Sequence, residues 1–235
     1  MKIVLVYAHP DDESFSVGGT LAKYKHRAEN VSLICATRGE AGSCGDPALC
    51  KPWELGEVRS KELKRAAKIL GIKNIYFLGL RDATLAQFTT DFLAKLIVPI
   101  LKDEKPDVVI TFAPTGISGH NDHIKISQVA KKAFQEYSKK NRLSKLYYST
   151  LPESIIQTLR REGLIRNVFS RPFAGTKDEK ITTKVAVKKF LPTKFKALKC
   201  HKTQHKDWER FIKRMHKGLS DFEYFVLAPQ TNLFD

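Results

Sequence analysis

Lys2-Ile3-Val4-Leu5-Val6-Tyr7-Ala8-His9-Pro10-Asp11-Asp12-Glu13 opens the chain. A run of β-branched and aliphatic residues reads as a buried strand, and a histidine with two adjacent carboxylates follows it at once. The carboxyl ends of strands are where open α/β sheets build their sites. A second stretch repeats the arrangement: Asp107-Val108-Val109-Ile110-Thr111-Phe112 runs into Gly119-His120-Asn121-Asp122-His123. Two strand ends therefore carry metal-ligand residue types, and His123 completes what His9 begins.

Working outward from the first strand, apolar runs rich in Val, Ile and Leu recur at 2–7, 31–36, 75–78 and 107–112, each separated from the next by a helix-length segment. Such spacing is that of βαβ units. It predicts an α/β fold, a Rossmann-like three-layer α/β/α sandwich with a mostly parallel central sheet, in a single domain spanning 1–235. The first crossover helix is expected from about Ser16, with Val17, Leu21 and Tyr24 on one face and Gly18-Gly19 allowing close packing on the sheet. A second runs from about Trp53 to Leu70 and ends at Gly71. A third covers about 89–103, before Pro106. The fourth, from near Asn121, repeats Ile126, Val129, Ala130, Ala133, Phe134 and Tyr137. Counting back by threes from Ile126 puts His123 and then His120 on the same inward stripe. Residues 151–180, broken by Pro152, Gly163, Pro172 and Gly175, are the least patterned and are expected to form a variable substrate-facing lobe. A strand at Thr183–Val187, a helix from about Pro192 to Lys217 and a final strand, Tyr224-Phe225-Val226-Leu227, finish the domain.

The chain has 235 residues, 42% of them hydrophobic, enough for a substantial core. Its 41 Lys and Arg against 25 Asp and Glu give a net charge of +16. Between Lys188 and Lys217 eleven basic residues meet only Asp207 and Glu209. That segment reads as a solvated helix face, including His201, His205 and His216, rather than a nucleic-acid site, because no stacking motif accompanies it. No apolar run approaches the roughly 18 residues of a membrane span, and the first strand is too short for a secretory leader, so a cytoplasmic location is expected. Cys35, Cys44, Cys50 and Cys200 lack Cys-x-x-Cys spacing and are expected as reduced thiols, with a loop-pinning Cys44–Cys50 disulfide as the alternative. Trp53 and Trp208 read as packing residues.

A catalytic zinc takes three N or O ligands and keeps a position for water or substrate. His9, His123 and one of the carboxylates Asp11 and Asp12 match that count; residue types alone leave open which carboxylate it is. The other can act as general base toward a metal-activated water. His120 can act as general acid or stabilise an oxyanion, and Asp122 can orient its ring. The same turn excludes a dinucleotide site, since it offers carboxylates where a pyrophosphate needs glycines and amide N–H groups.

These residues resemble the LmbE-like/PIG-L superfamily of zinc-dependent N-deacetylases. The resemblance runs from Lys2 to about Gln204 through Ala8-His9-Pro10-Asp11-Asp12-Glu13, Thr37-Arg38-Gly39-Glu40, Val58-Arg59-x-x-Glu62-Leu63, Leu80-Arg81-Asp82, His120-x-Asp122-His123 and Lys196-Ala197-Leu198-x-x-His201-x-x-Gln204. It implies that His9, Asp12 and His123 bind metal, that Asp11 is the general base and that His120 stabilises the transition state. It also implies that Arg59 and Asp82 hydrogen-bond substrate hydroxyls; a structural ion pair between them is the alternative. Asn121 stands where the family often has proline. The implied cofactor is Zn2+, with Fe2+ or Co2+ able to use the same ligands. The implied reaction removes acetyl from an N-acetylglucosamine compound, such as N-acetylated chitobiose or a GlcNAc conjugate. A GlcNAc-phosphatidylinositol or a non-sugar acetamide is the in-class alternative, and a homo-oligomer is compatible with the family. A non-catalytic binder of nucleic acid or anions, using the basic segment, is the competing class.

Overall fold

The direction of strand succession reverses at β1 (Lys2–Tyr7), which pairs in parallel with β2 (Asn30–Thr37) on one side and with β4 (Val108–Phe112) on the other. The computed structural model describes residues 1–165, 171–215 and 221–229. With β3 (Asn74–Leu80), β5 (Lys145–Thr150), β6 (Thr183–Ala186) and β7 (Phe222–Leu227), the sheet has seven strands in the order β3-β2-β1-β4-β5-β7-β6. The first five are parallel, and β7 runs antiparallel to both β5 and β6. The crevice between β1 and β4 is thus the switch point of the sheet, where two loops diverge and leave room for a site.

Helices α1 (Asp12–Tyr24), α2 (Leu55–Leu70) and α6 (Leu191–Leu198) pack on one another, and α3 (Thr90–Glu104) packs on α4 (Asn121–Ser138), giving a layer on each side of the sheet. Leu5, Val6, Leu33 and Ile34 are fully buried between these layers. Each such side chain contributes roughly 1.5–3 kcal/mol on burial. The stripe expected on α4, Ile126 through Tyr137, is buried at every position. Among the described residues no helix is long and apolar enough to cross a membrane.

Four features depart from the reading of the sequence. Helix α1 starts at Asp12, not near Ser16, because the chain turns sharply at Asp11 and both carboxylates of Asp12 and Glu13 then sit in the first turn, where the helix dipole favours them. The expected helix from Pro192 to Lys217 is instead α6 followed by α7 (His205–Met215), with a 3-10 turn at Lys202–Gln204 between them. The break has a visible cause: the buried Glu62 carboxylate accepts from the N–H and hydroxyl of Thr203 at 2.9 and 2.7 Å, taking both from any continuing helix. His201 is fully buried rather than solvated, and His216 lies outside the described residues. Trp53, expected to pack, is 78% exposed. Gly19 of α1 makes its close approach to the C-terminal segment, since a Cβ there would lie 2.7 Å from Val187. All four cysteines are free thiols.

Residues 151–180 contain α5 (Glu153–Arg161), which buries Ile156 and Leu159 with Ile165 in a small cluster of its own. The stretch leans on the loop before α4: Ala174 donates to Ile117 O at 2.9 Å, and Thr115 donates to Ala174 O at 3.2 Å.

Candidate active site

The chain leaves β1 through a turn that only a dense set of partners makes tenable. Asp11 has φ 108°, a conformation rare outside glycine. Its N–H donates to Glu13 Oε2 at 3.2 Å, and its carbonyl accepts from Ser14 and Phe15 at 2.9 and 3.0 Å. Arg59, buried on α2, donates to Asp11 Oδ2 at 3.0 Å, to Pro10 O at 2.6 Å and to Gly39 O at 2.8 Å. Asp12 Oδ2 accepts from the N–H groups of Ala8 and His9, at 3.1 and 2.9 Å, so that this carboxylate is locked against the strand end.

His9, Asp12 and His123 meet above the β1–β4 crevice. His9 Nδ1 lies 3.2 Å from His123 Nε2 and 3.7 Å from Asp12 Oδ2, and His123 Nε2 lies 3.3 Å from Asp12 Oδ1. Outer partners set the tautomers. His9 Nε2 points at Asp82 Oδ1, 2.9 Å away, and must carry the proton. His123 Nδ1 lies 3.2 Å from the Ser118 hydroxyl and 3.3 Å from Gly116 O; the carbonyl can only accept, so a proton on Nδ1 suits both neighbours. His9 Nδ1, His123 Nε2 and the Asp12 carboxylate therefore face one another, an arrangement that a proton on His9 Nδ1 satisfies and that a divalent cation would satisfy by taking that proton's place. Four-coordinate bonds of about 2.0–2.1 Å place donors about 3.3–3.4 Å apart. Imidazole and carboxylate donors suit a divalent metal, and among the described residues the sets whose ligand atoms all lie within 4.8 Å of one another are His9, His120 and His123, and His9, Asp82 and Asp122, with the Asp12 carboxylate beside the first of them.

His120 is the N-cap of α4, and its Nδ1 accepts from the Asp122 N–H at 3.1 Å. The Asp122 carboxylate, expected to turn the His120 ring, instead accepts from the N–H groups of Ala83 and Leu85 at 2.9 and 3.1 Å and approaches His9 Nε2 at 3.4 Å. The first turn of α4 directs it across the crevice, toward the loop after β3. The His120 ring stands 4.8 Å from His9 and 5.0 Å from His123, centroid to centroid.

Arg59 and Asp82 are both buried, and each already serves a site residue: Arg59 pairs with Asp11, and Asp82 with His9. They do not bond to each other. Asp82 is itself held by Ala41 N–H at 3.0 Å, while its own N–H donates to Glu40 Oε1 at 2.9 Å. The other Glu40 oxygen, buried, has no partner among the described residues.

Electrostatics follow from the crowding. Burial pulls the His9 imidazole down, but the Asp122 and Asp82 carboxylates more than reverse this, to about 10. Burial pushes Asp11 up to about 6 against the opposing Arg59 cation. Asp12, although buried, is held well below the usual carboxylate range by His123 and His9. Burial and the neighbouring imidazoles bring His120 down to about 4, so it is neutral at pH 7.

A family model described as GlcNAc-PI de-N-acetylase (PIG-L) matches residues 4–134. A 1D-myo-inositol 2-acetamido-2-deoxy-alpha-D-glucopyranoside deacetylase of Acidothermus cellulolyticus is 34% identical over 264 residues, covering 98% of this chain and 89% of the relative. A "Probable N-acetyl-alpha-D-glucosaminyl L-malate deacetylase 2" of Bacillus anthracis is 32% identical over 206 residues, covering 86% of this chain and 80% of the relative. In fold, the chain is similar to an N,N'-diacetylchitobiose deacetylase of Pyrococcus horikoshii, with a TM-score of 0.71 at 24% identity over 97% of this chain and 84% of that one.

Proposed function

The chain belongs to the PIG-L family, and on that premise we propose that it is a zinc-dependent N-deacetylase that hydrolyses the acetamide of N-acetylglucosamine linked to a small polar group, such as inositol or malate. The observation that carries this reading is the convergence of His9 Nδ1, Asp12 and His123 Nε2, with the opposite ring nitrogens engaged by Asp82 and Gly116. A divalent cation bound by these residues supplies Lewis acidity, polarising the amide carbonyl and acidifying a water.

The residues around it divide the remaining work. Asp11, its Oδ2 held by Arg59, takes the water proton at Oδ1 and later returns it to the departing amine. His120 accepts a main-chain N–H at Nδ1, which puts its own proton on Nε2 and suits it to donate a hydrogen bond to the developing oxyanion. Water and amide give a free amine and acetate. The stretch 151–180, whose Ala174 hydrogen-bonds the loop that precedes His120, is the part we assign to substrate choice. A cytoplasmic location accords with the four free thiols.

The test is amine release from a panel of GlcNAc–inositol, GlcNAc–malate and N,N'-diacetylchitobiose, with the protein as purified, after chelation and after zinc restoration. Activity should vanish with chelation and return with zinc. Asp11→Asn should lose ~10²–10⁴-fold in kcat while metal stays bound. Amine release that survives full metal removal would sink the reading.

A further inference from the structure

Glu13 and His201 are both fully buried, 188 positions apart, and His201 Nε2 lies 3.2 Å from Glu13 Oε1. The other Glu13 oxygen accepts the N–H of Asp11. His201 Nδ1 has no partner among the described residues, so the ring's hydrogen bonding there is directed at Glu13 alone. We propose that His201 is a positioning residue for the reaction: it holds the Glu13 carboxylate where that group fixes Asp11 in its left-handed backbone, and so aims the base.

The surroundings favour this over simple filling of the core. An apolar side chain would fill the same volume without the cost of burying a polar ring. Instead the chain breaks its last long helix to bring this ring inward. His201 N–H donates to Leu198 O at 3.0 Å at the end of α6, Trp208 Nε1 donates to His201 O at 3.1 Å from α7, and Thr203 is gripped by Glu62 on α2. The main chain at His201 is thus held from three helices before the ring meets Glu13 on a fourth. Asp11, at φ 108°, needs that support, because a non-glycine residue is strained there and persists only when its surroundings insist on it. Ser14 Oγ, 2.6 Å from Glu13 Oε1, completes the lock.

The inference rests on Asp11 acting as the base, so Asp11→Asn is measured in parallel. With GlcNAc–inositol as substrate, His201→Ala should lower kcat by ~10–100-fold at a KM within about twofold of the parent, with one metal per chain retained. His201→Gln, which keeps a donor near Nε2, should recover most of the loss, whereas His201→Leu should not. Glu13→Gln combined with His201→Leu should be no worse than the more impaired single variant, since both act through one link. Independently of turnover, amide hydrogen exchange at Asp11 should quicken at least about tenfold in His201→Leu while β1 stays protected. Should His201→Ala fail to fold, the Gln and Leu pair decides. Wild-type kcat in His201→Leu, equal loss in Gln and Leu, or unchanged exchange at Asp11 would each overturn the proposal while an inactive Asp11→Asn left the reaction assignment standing. An active Asp11→Asn would overturn both.

Discussion

Asp82 Oδ1 lies 2.9 Å from His9 Nε2, with Ala41 N–H gripping the other carboxylate oxygen, so that a residue just after β3, together with Asp122, engages one ring nitrogen and leaves Nδ1 facing Asp12 and His123. Asp82→Ala removes the nearer of the two carboxylates on that nitrogen, leaving Asp122 Oδ2 at 3.4 Å. Metal affinity should fall ~10–100-fold, read by competition against a chromophoric chelator. Affinity equal to the parent would show that Asp82 does not set the ligand.

Gly119 precedes the N-cap His120 at φ +80°, and a Cβ there would lie 2.2 Å from Arg171 O. Neither the backbone conformation nor the contact leaves room for a side chain. Gly119→Ala should cost about 1–3 kcal/mol of stability, measured by urea unfolding, and should lower turnover by displacing His120. Unchanged stability would mean that the backbone at Arg171 yields freely at this contact.

Glu104 collects Asn30 Nδ2 at 2.8 Å, Asn74 Nδ2 at 3.0 Å and the Tyr76 hydroxyl at 2.7 Å at the end of the sheet opposite the site. Burial opposes its ionisation, but hydrogen bonds from Tyr76, Ser32, Asn74 and Asn30 outweigh burial and lower its pKa. A carboxyl whose folded-state pKa is depressed contributes stability above its unfolded value, about 4.3, and that contribution is lost as pH falls through the folded value. Glu104→Gln should therefore melt below the parent at pH 7, with the gap closing as the medium is acidified below pH ~4. A gap that stays constant from pH 7 to pH 3 would contradict the assignment. Deacetylation should be unaffected, because Glu104 is remote from the site.

Lys194 Nζ lies 2.6 Å from Glu223 Oε1 and 2.8 Å from Phe15 O, and both charged side chains are buried. The Glu223 carboxylate also accepts from Gly19 and Thr20 within α1, at 2.9 and 2.7 Å. Lys194→Met would leave that carboxylate buried without its cation, at a cost of about 3–5 kcal/mol by chemical denaturation. A loss under 1 kcal/mol would show that the α1 amides alone suffice for Glu223.

The order of strands and helices was legible in the chain because periodicity is local: β1, β2, β3 and β4 each declare themselves within a few residues, and the α4 stripe places His123 and His120 at its first turn. The neighbourhood of His9, Asp12 and His123 was legible too, since they follow two strand ends that a parallel sheet brings side by side. What sequence could not reveal are the partners supplied from elsewhere. Asp82 engaging His9 Nε2, Arg59 clasping Asp11, the Asp122 carboxylate crossing to the loop after β3, and His201 reaching Glu13 are contacts between residues 39 to 188 positions apart. In each case only packing decides which of several polar groups meet. His201 shows the limit most plainly: a basic, hydrophilic segment predicts a solvated face, yet capture of Thr203 by Glu62 breaks the helix and turns the ring inward. The chain alone determined which elements form and which residue types stand at their ends; tertiary structure decided how those residues are protonated, aimed and held, because a hydrogen bond in a buried site depends on the one acceptor within reach.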